Sequence, residues 1–382
     1  MLNLEDARRY ERLKVKFRIA SMLLLITYAA VWVVARPDVA DAVAQVTAWR
    51  WLGLALVGGL FFLGFELLSL PLNYYSDYRL EHTFHLSNQT IGAWLVRCVK
   101  EWLVGLVMGG ILVGGLYVAL WYGGRLWWAW VWIGWMLLSV GLAKLFPVII
   151  LPLFYKSEPL ERPALHDRFA RLTVGTHLTL RGIFRLGLSK DTKKANAMLV
   201  GMGATRRVYL SDTLLDAFND DEIGIVFAHE LGHHVHGHIL KGIALSALLS
   251  TLLVAGVAAV LAPYASSSPS LWPQAVASFP AVALLVSLLS YVLMPLGNLV
   301  LRTFERQADT EALNRTKDPA GYRSAFQKLA EMNLADPDPP RWVELLFHDH
   351  PALSKRIAMA DTWETTAAKS TSSAPAENLD PR

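Results

Sequence analysis

Residues 229–233 read His-Glu-Leu-Gly-His, within the longer run FNDDEIGIVFAHELGHHVHGH. On an α-helix, positions four apart lie on one face, so His229 and His233 can point at one metal ion. Glu230 follows the first imidazole and is placed to hold a water rather than the metal itself. Zinc lowers the pKa of such a water toward neutrality, and a carboxylate can then take its proton. Residues of these types at this spacing could hydrolyse a peptide bond with the help of a metal.

The flanks support a helix. Asn219 is a candidate N-cap and Glu222, three residues on, completes a capping box. Asp220, Asp221 and Glu222 suit the positive end of the helix dipole. A zinc protease needs a third protein ligand and an open fourth position. The segment Arg302–Glu311 carries Glu305 and Asp309 at i and i+4, so one carboxylate can ligate while the other supports a ligand histidine. His236 is a rival ligand, but three ligands from one straight helix cannot surround an ion well. His238 is expected to pack or to hydrogen-bond locally.

The rest of the chain must hold these groups at a membrane. Apolar residues make up 54% of the 382, charged residues only 18%, with 14 Trp, and the mean hydropathy is +0.34. Six stretches are long and apolar enough to span a bilayer: 17–35, 51–72, 102–121, 126–150, 242–262 and 279–301. The first has no cleavage pattern and is read as a retained helix. Residues 1–18 hold six Lys and Arg, and 263–279 hold none. This asymmetry predicts both termini and both large polar regions, 151–241 and 302–382, on the cytoplasmic side. The +4 net charge needs no nucleic-acid partner. Trp49, Trp51, Trp121, Trp127, Trp128 and Trp130 fall at span ends as an interfacial belt. The single cysteine, Cys98, excludes an internal disulfide and a Cys-rich metal site. Glu66, Lys144 and Asn298 within spans, with Glu101 at an edge, would suit a chamber opening toward the metal, or else interfacial snorkelling or helix pairing.

Six segments carry a resemblance to a known family: LPLNYYSDYRLEHTFHLSNQT (70–90), FPVIILPLFYKSEPLE (146–161), KKANAMLVGMGATRRVYLSDTLL (193–215), the HELGH helix, FERQADTEA (304–312) and HPALSKRI (350–357). In this order they resemble the type I CAAX prenyl proteases, integral-membrane zinc metalloproteases that trim prenylated proteins. The resemblance implies one zinc ion per chain on His229, His233 and Glu305, with Glu230 as general base. It implies that Asp309 orients a ligand histidine and that Arg356 supports the acidic pair. It further implies that Asn196 contacts the substrate backbone and that His350 stabilises the oxyanion. Met198 stands where the family usually has Tyr, a departure that bears on substrate preference. The family has seven membrane helices; six are read here, with the family's first expected to be missing.

The expected fold is mainly α: a polytopic helical membrane protein with a small α+β metalloprotease lobe. Residues 1–150 form a membrane region of four spans, 151–241 the first part of the lobe, 242–301 two further spans, 302–363 the second part, and 364–382 a disordered tail. Strands are expected near 183–189, 195–200 and 206–211. The substrate class implied is a peptide or protein, with a prenylated C-terminal tail as the family's case and the lipid bilayer as surroundings. The alternatives are quality control of misfolded membrane chains and, less favoured, a non-catalytic scaffold.

Overall fold

The computed structural model describes residues 3–176, 178, 181–201, 206–265 and 269–372. Among them, six helices are long and apolar enough to cross a membrane: Leu4–Val34, Arg50–Thr83, Ile91–Tyr122, Gly124–Phe154, His238–Tyr264 and Trp272–Thr316. Each matches one stretch expected from hydropathy, the first ending one residue short of it at Val34. The charged N-terminal segment belongs to the first helix itself, which starts at Leu4 behind an Asn3 side-chain cap. Large side chains such as Leu67, Val107, Leu137, Leu248 and Val292 stand exposed on these helices. That is the surface a chain presents when lipid is its solvent.

At one end of the bundle the spans close over a shared apolar cluster that includes Leu54, Tyr117, Leu120, Trp127, Val257 and Leu261. Two short helices, Arg36–Val46 and Trp272–Ala277, lie there against each other. They replace what hydropathy reads as plain loops. Trp51 meets Trp121 edge to face at 4.8 Å, and the Arg50 guanidinium lies 4.6 Å over Trp121. The expected aromatic belt is therefore gathered at this end.

The opposite end carries the lobe. Four strands, β1 (Ser157–Pro159), β2 (Ile183–Leu186), β3 (Ala197–Val200) and β4 (Arg207–Ser211), form one sheet in the order β1-β2-β4-β3. β2 and β4 run parallel; the outer pairs are antiparallel. β2 ends at Leu186 rather than 189, because the amides of Leu188 and Ser189 turn onto Asp212 Oδ1 at 3.0 Å each. β3 starts at Ala197, since the preceding amides are held by side chains: Ala195 by Asn333 and Asn196 by Ser211. β1 was not expected from the sequence.

The HELGH helix runs Asp220–Val235, and its capping box is formed on both sides by Asn219 and Glu222. Ile223 to His229 are all buried, so this helix is the core of the lobe rather than an amphipathic cover. Phe227 stacks on Phe169 at 3.8 Å, and Leu165, Val208, Leu214, Tyr322 and Phe326 fill the rest. The helix ends where Gly237 takes φ +65°, a left-handed turn that glycine adopts without strain. The next span begins at once with His238.

The helix Phe279–Thr316 has 38 residues. At 1.5 Å per residue it is about 57 Å long, nearly twice a hydrocarbon core of about 30 Å. It leaves the membrane unbroken and carries Glu305 and Asp309 into the lobe. Gly232 lets it approach: a β-carbon there would lie 2.7 Å from Ala308 Cα. A last helix spans Leu353–Ser372, which corrects the expectation of disorder from 364. Trp363 Nε1 bonds Asn314 and the Thr365 and Thr366 hydroxyls bond carbonyls four residues back. Of these, the Trp363–Asn314 bond ties the helix to its neighbour. The remainder of the expected tail, 373–382, lies outside the described residues.

Candidate active site

The two helices bring His229, His233 and Glu305 together, with one ligand-capable atom from each within 4.8 Å of the others. His229 Nε2 lies 3.3 Å from His233 Nε2 and 3.3 Å from Glu305 Oε2. His233 Nε2 lies 3.2 Å from Glu305 Oε1. The buried Oε2 of Glu305 finds no hydrogen bond of good geometry. A buried charged oxygen without a donor is costly, and a cation at the point where the three side chains converge would satisfy it. Two imidazoles and one carboxylate fit a zinc site of the catalytic kind. His236 is not in this group; its Nε2 faces Glu311 at 3.4 Å.

Behind the triplet, Asp309 is fully buried and sits 2.9 Å from His229 Nδ1. Arg356 grips the same carboxylate with both arms, at 2.9 and 2.5 Å. The ion pair is bidentate, the geometry for which a guanidinium is suited. Burial works against protonating His229, but the Asp309 and Glu305 carboxylates beside it win and push it up to about 9. The pocket thus favours positive charge beside these carboxylates, a balance that a metal ion also meets.

A cavity of about 450 Å³ reaches this triplet at His229, and Asn196, Ala197, Glu230, His350 and Arg356 are among the other residues lining it. Glu230 lies partly exposed, with its Oε2 3.4 Å from the Leu199 amide of β3. Among the described residues, β3 pairs only with β4. Asn196 and Met198 are the residues turned toward β4, so the backbones of Ala197 and Leu199 face the cavity. His350 Nε2 is 3.4 Å from Glu305 Oε1, and its Nδ1 is 2.7 Å from Asp349. Burial works against charge on His350, yet the Asp349 hydrogen bond and the Glu305 charge outweigh it and raise its pKa.

All eight residues singled out from the sequence therefore gather at one cavity or directly behind it. None of Glu66, Glu101, Lys144 and Asn298 lines that cavity, so they do not form a chamber at this site. Asn298 instead donates to Leu346 O, and Glu101 pairs with Arg97. Sequence reasoning missed the supports of the His350 loop. His348 pairs with Glu11 of the first helix at 2.8 Å, and Arg302 donates to the carbonyls of Glu344 and His348. An arginine directly after an apolar span was the available signal for the second of these.

Fold and site together define a polytopic membrane metalloendopeptidase. Residues 159–364 match the model of peptidase family M48, and residues 3–156 match the CAAX prenyl protease N-terminal model, described by its five membrane helices. The chain belongs to peptidase family M48 and, with that N-terminal region, to its CAAX prenyl proteases. CAAX prenyl protease 1 of Saccharomyces cerevisiae is 27% identical over 394 residues, covering 93% of this chain and 85% of that protein. An uncharacterized metalloprotease of Bacillus subtilis, YhfN, is 28% identical over 320 residues, with 81% and 74% covered. The crystal structure of S. mikatae Ste24p shares the fold, with a TM-score of 0.74 at 24% identity over 94% of this chain and 88% of that one.

Proposed function

We propose that this protein is a zinc endopeptidase in which His229, His233 and Glu305 hold the ion and Glu230 is the general base. The observation that carries this reading is the buried Glu305 carboxylate, whose Oε2 faces His229 Nε2 at 3.3 Å without a hydrogen bond of good geometry while its Oε1 faces His233 Nε2 at 3.2 Å. When bound, zinc supplies Lewis acidity to a water and to a substrate carbonyl. Glu230 takes the proton from the attacking water and delivers it to the leaving amine. His350, whose neighbours favour its charged form, donates to the developing oxyanion. The free edge of β3 receives an extended peptide as an added strand, and Asn196 at its start holds the substrate backbone. Asp309 and Arg356 fix the His229 ring from behind.

Processing of prenylated C-terminal tails is the favoured substrate class, supported by the relatives' names and by the membrane setting. The active site and both termini lie on the cytoplasmic side in this reading, because the lobe and the N-terminal segment carry the Lys and Arg excess. A cysteine placed near residue 370 that reacts with an impermeant maleimide from the opposite side refutes that orientation.

Detergent-purified wild type and Glu230→Gln, incubated with matched prenylated and unprenylated peptides, test the function by mass spectrometry. Cleavage by wild type three residues from the end of the prenylated peptide alone supports tail processing. Scattered cleavage of both peptides points to quality control instead. Normal turnover by Glu230→Gln sinks the mechanism, and zinc binding without hydrolysis of either peptide favours the scaffold.

A further inference from the structure

The Nε2 of His233 faces Glu305 and His229, so its Nδ1 points away from the triplet. There it meets His238 Nδ1 at 3.0 Å, and His238 Nε2 in turn meets Gln307 Oε1 at 2.9 Å. His238 is buried. The Phe304 ring stacks on it at 4.3 Å and nearly parallel, at 8°. Gly237 creates the contact: its left-handed φ of +65° ends the HELGH helix and starts the next at His238.

We propose that His238 is a positioning residue for His233, with Gln307 setting the proton on His238. This rests on His233 being a zinc ligand, as read above. An amide oxygen only accepts. His238 must therefore carry its hydrogen on Nε2 and present a lone pair at Nδ1. Two facing nitrogens bond only if one bears hydrogen, so His233 carries its hydrogen on Nδ1. The Nε2 lone pair of His233 is then free and aimed at the zinc point. The proton positions follow from the pairing of the network. His238 has no lone pair left for the metal, which excludes it as a fourth ligand. Were the Gln307 amide reversed, its NH2 would force the opposite tautomers and block the His233 lone pair. The helix Phe279–Thr316 would thus supply a ligand in Glu305 and a support for each histidine: Asp309 for His229 directly, and Gln307 for His233 through His238.

The test is zinc affinity, measured on the full chain in detergent by competition with a chelator and independent of turnover. His238→Leu removes the acceptor and lowers zinc affinity about 10–100-fold. His238→Asn puts an amide oxygen near the lost Nδ1 and holds affinity within about threefold of wild type. Unchanged affinity in His238→Leu overturns the proposal, as does an equal loss in His238→Leu and His238→Asn, which would mean a packing role alone. Should His238→Leu fail to fold, Gln307→Leu decides: it frees the His238 tautomer and lowers affinity several-fold, and no change overturns the proposal. His233→Ala separates this inference from the reading beneath it. Abolished binding there, with His238→Leu normal, rejects the relay and keeps the ligand set. Retained binding in His233→Ala rejects both.

Discussion

Replacing Gly232 with alanine should break the metal site while leaving the fold standing. The new methyl would lie 2.7 Å from Ala308 Cα, 3.0 Å from its carbonyl oxygen and 3.1 Å from Glu311 Cβ. Carbon atoms rest at about 3.5–4.0 Å, so the HELGH helix and the helix Phe279–Thr316 must part by about 1 Å. Overpacking of this kind costs about 1–3 kcal/mol. The better helix propensity of alanine returns about 1 kcal/mol, leaving a net loss of about 0–2 kcal/mol. The site tolerates far less movement. Glu305 lies one turn from Ala308, and ligand distances must hold to about 0.2 Å. Zinc affinity should fall about 10–100-fold, as when ligand support is lost, with peptide turnover at fixed zinc falling alongside. Chelator competition and thermal unfolding in detergent read the two effects separately. Gly242→Ala, where nothing lies within 4 Å of the added methyl, is the control and should be silent. Wild-type zinc affinity in Gly232→Ala would falsify the argument that this close approach sets the position of Glu305.

Other perturbations have equally definite outcomes. Glu230→Gln should retain zinc and lose peptide hydrolysis by at least about 100-fold, read by metal content and turnover of the same sample. Arg356→Gln removes the guanidinium from the buried Asp309 charge, leaving only His229 beside it, and should destabilise the protein by up to about 3–5 kcal/mol; adding Asp309→Asn should recover part of the loss in thermal unfolding. Burial would raise the pKa of Glu222, but Lys328, Ser324 and the Asn219 amide outweigh it and lower it. Its contribution is therefore fully present above the unfolded carboxylate pKa of about 4.3 and fades as pH falls through the folded value. The stability gap between wild type and Glu222→Gln should close as unfolding is followed from pH 7 into acid.

Much of the site was legible because it rests on local rules. The i, i+4 spacing of His229 with His233 and of Glu305 with Asp309 fixes a helical face, and the Asn219–Glu222 pair announces a helix start before any tertiary contact exists. Six apolar stretches gave six spans for the same reason. What escaped was set by contacts distant in sequence or by a single backbone angle. β1 is three residues held by β2. The helix after Leu353 is anchored through Trp363 to Asn314, against its composition. The Glu11–His348 pair joins residues 337 apart, which no pattern reveals. His238, expected to pack or to hydrogen-bond locally, does both, on Phe304 and with His233; what no pattern reveals is that the turn at Gly237 aims its ring at the back of a candidate ligand.

The unbroken helix from Phe279 to Thr316 makes the enzyme a gauge of its membrane. Its apolar half must match the bilayer, and its polar half holds Glu305. A thinner or thicker hydrocarbon layer is met by tilting such a helix. A tilt of about 5° over its length of about 57 Å carries one end about 5 Å sideways relative to the other. Turnover in vesicles should therefore peak at one acyl-chain length and decline on either side, with lipid thickness acting on catalysis through one continuous helix that carries Pro295 within its apolar half.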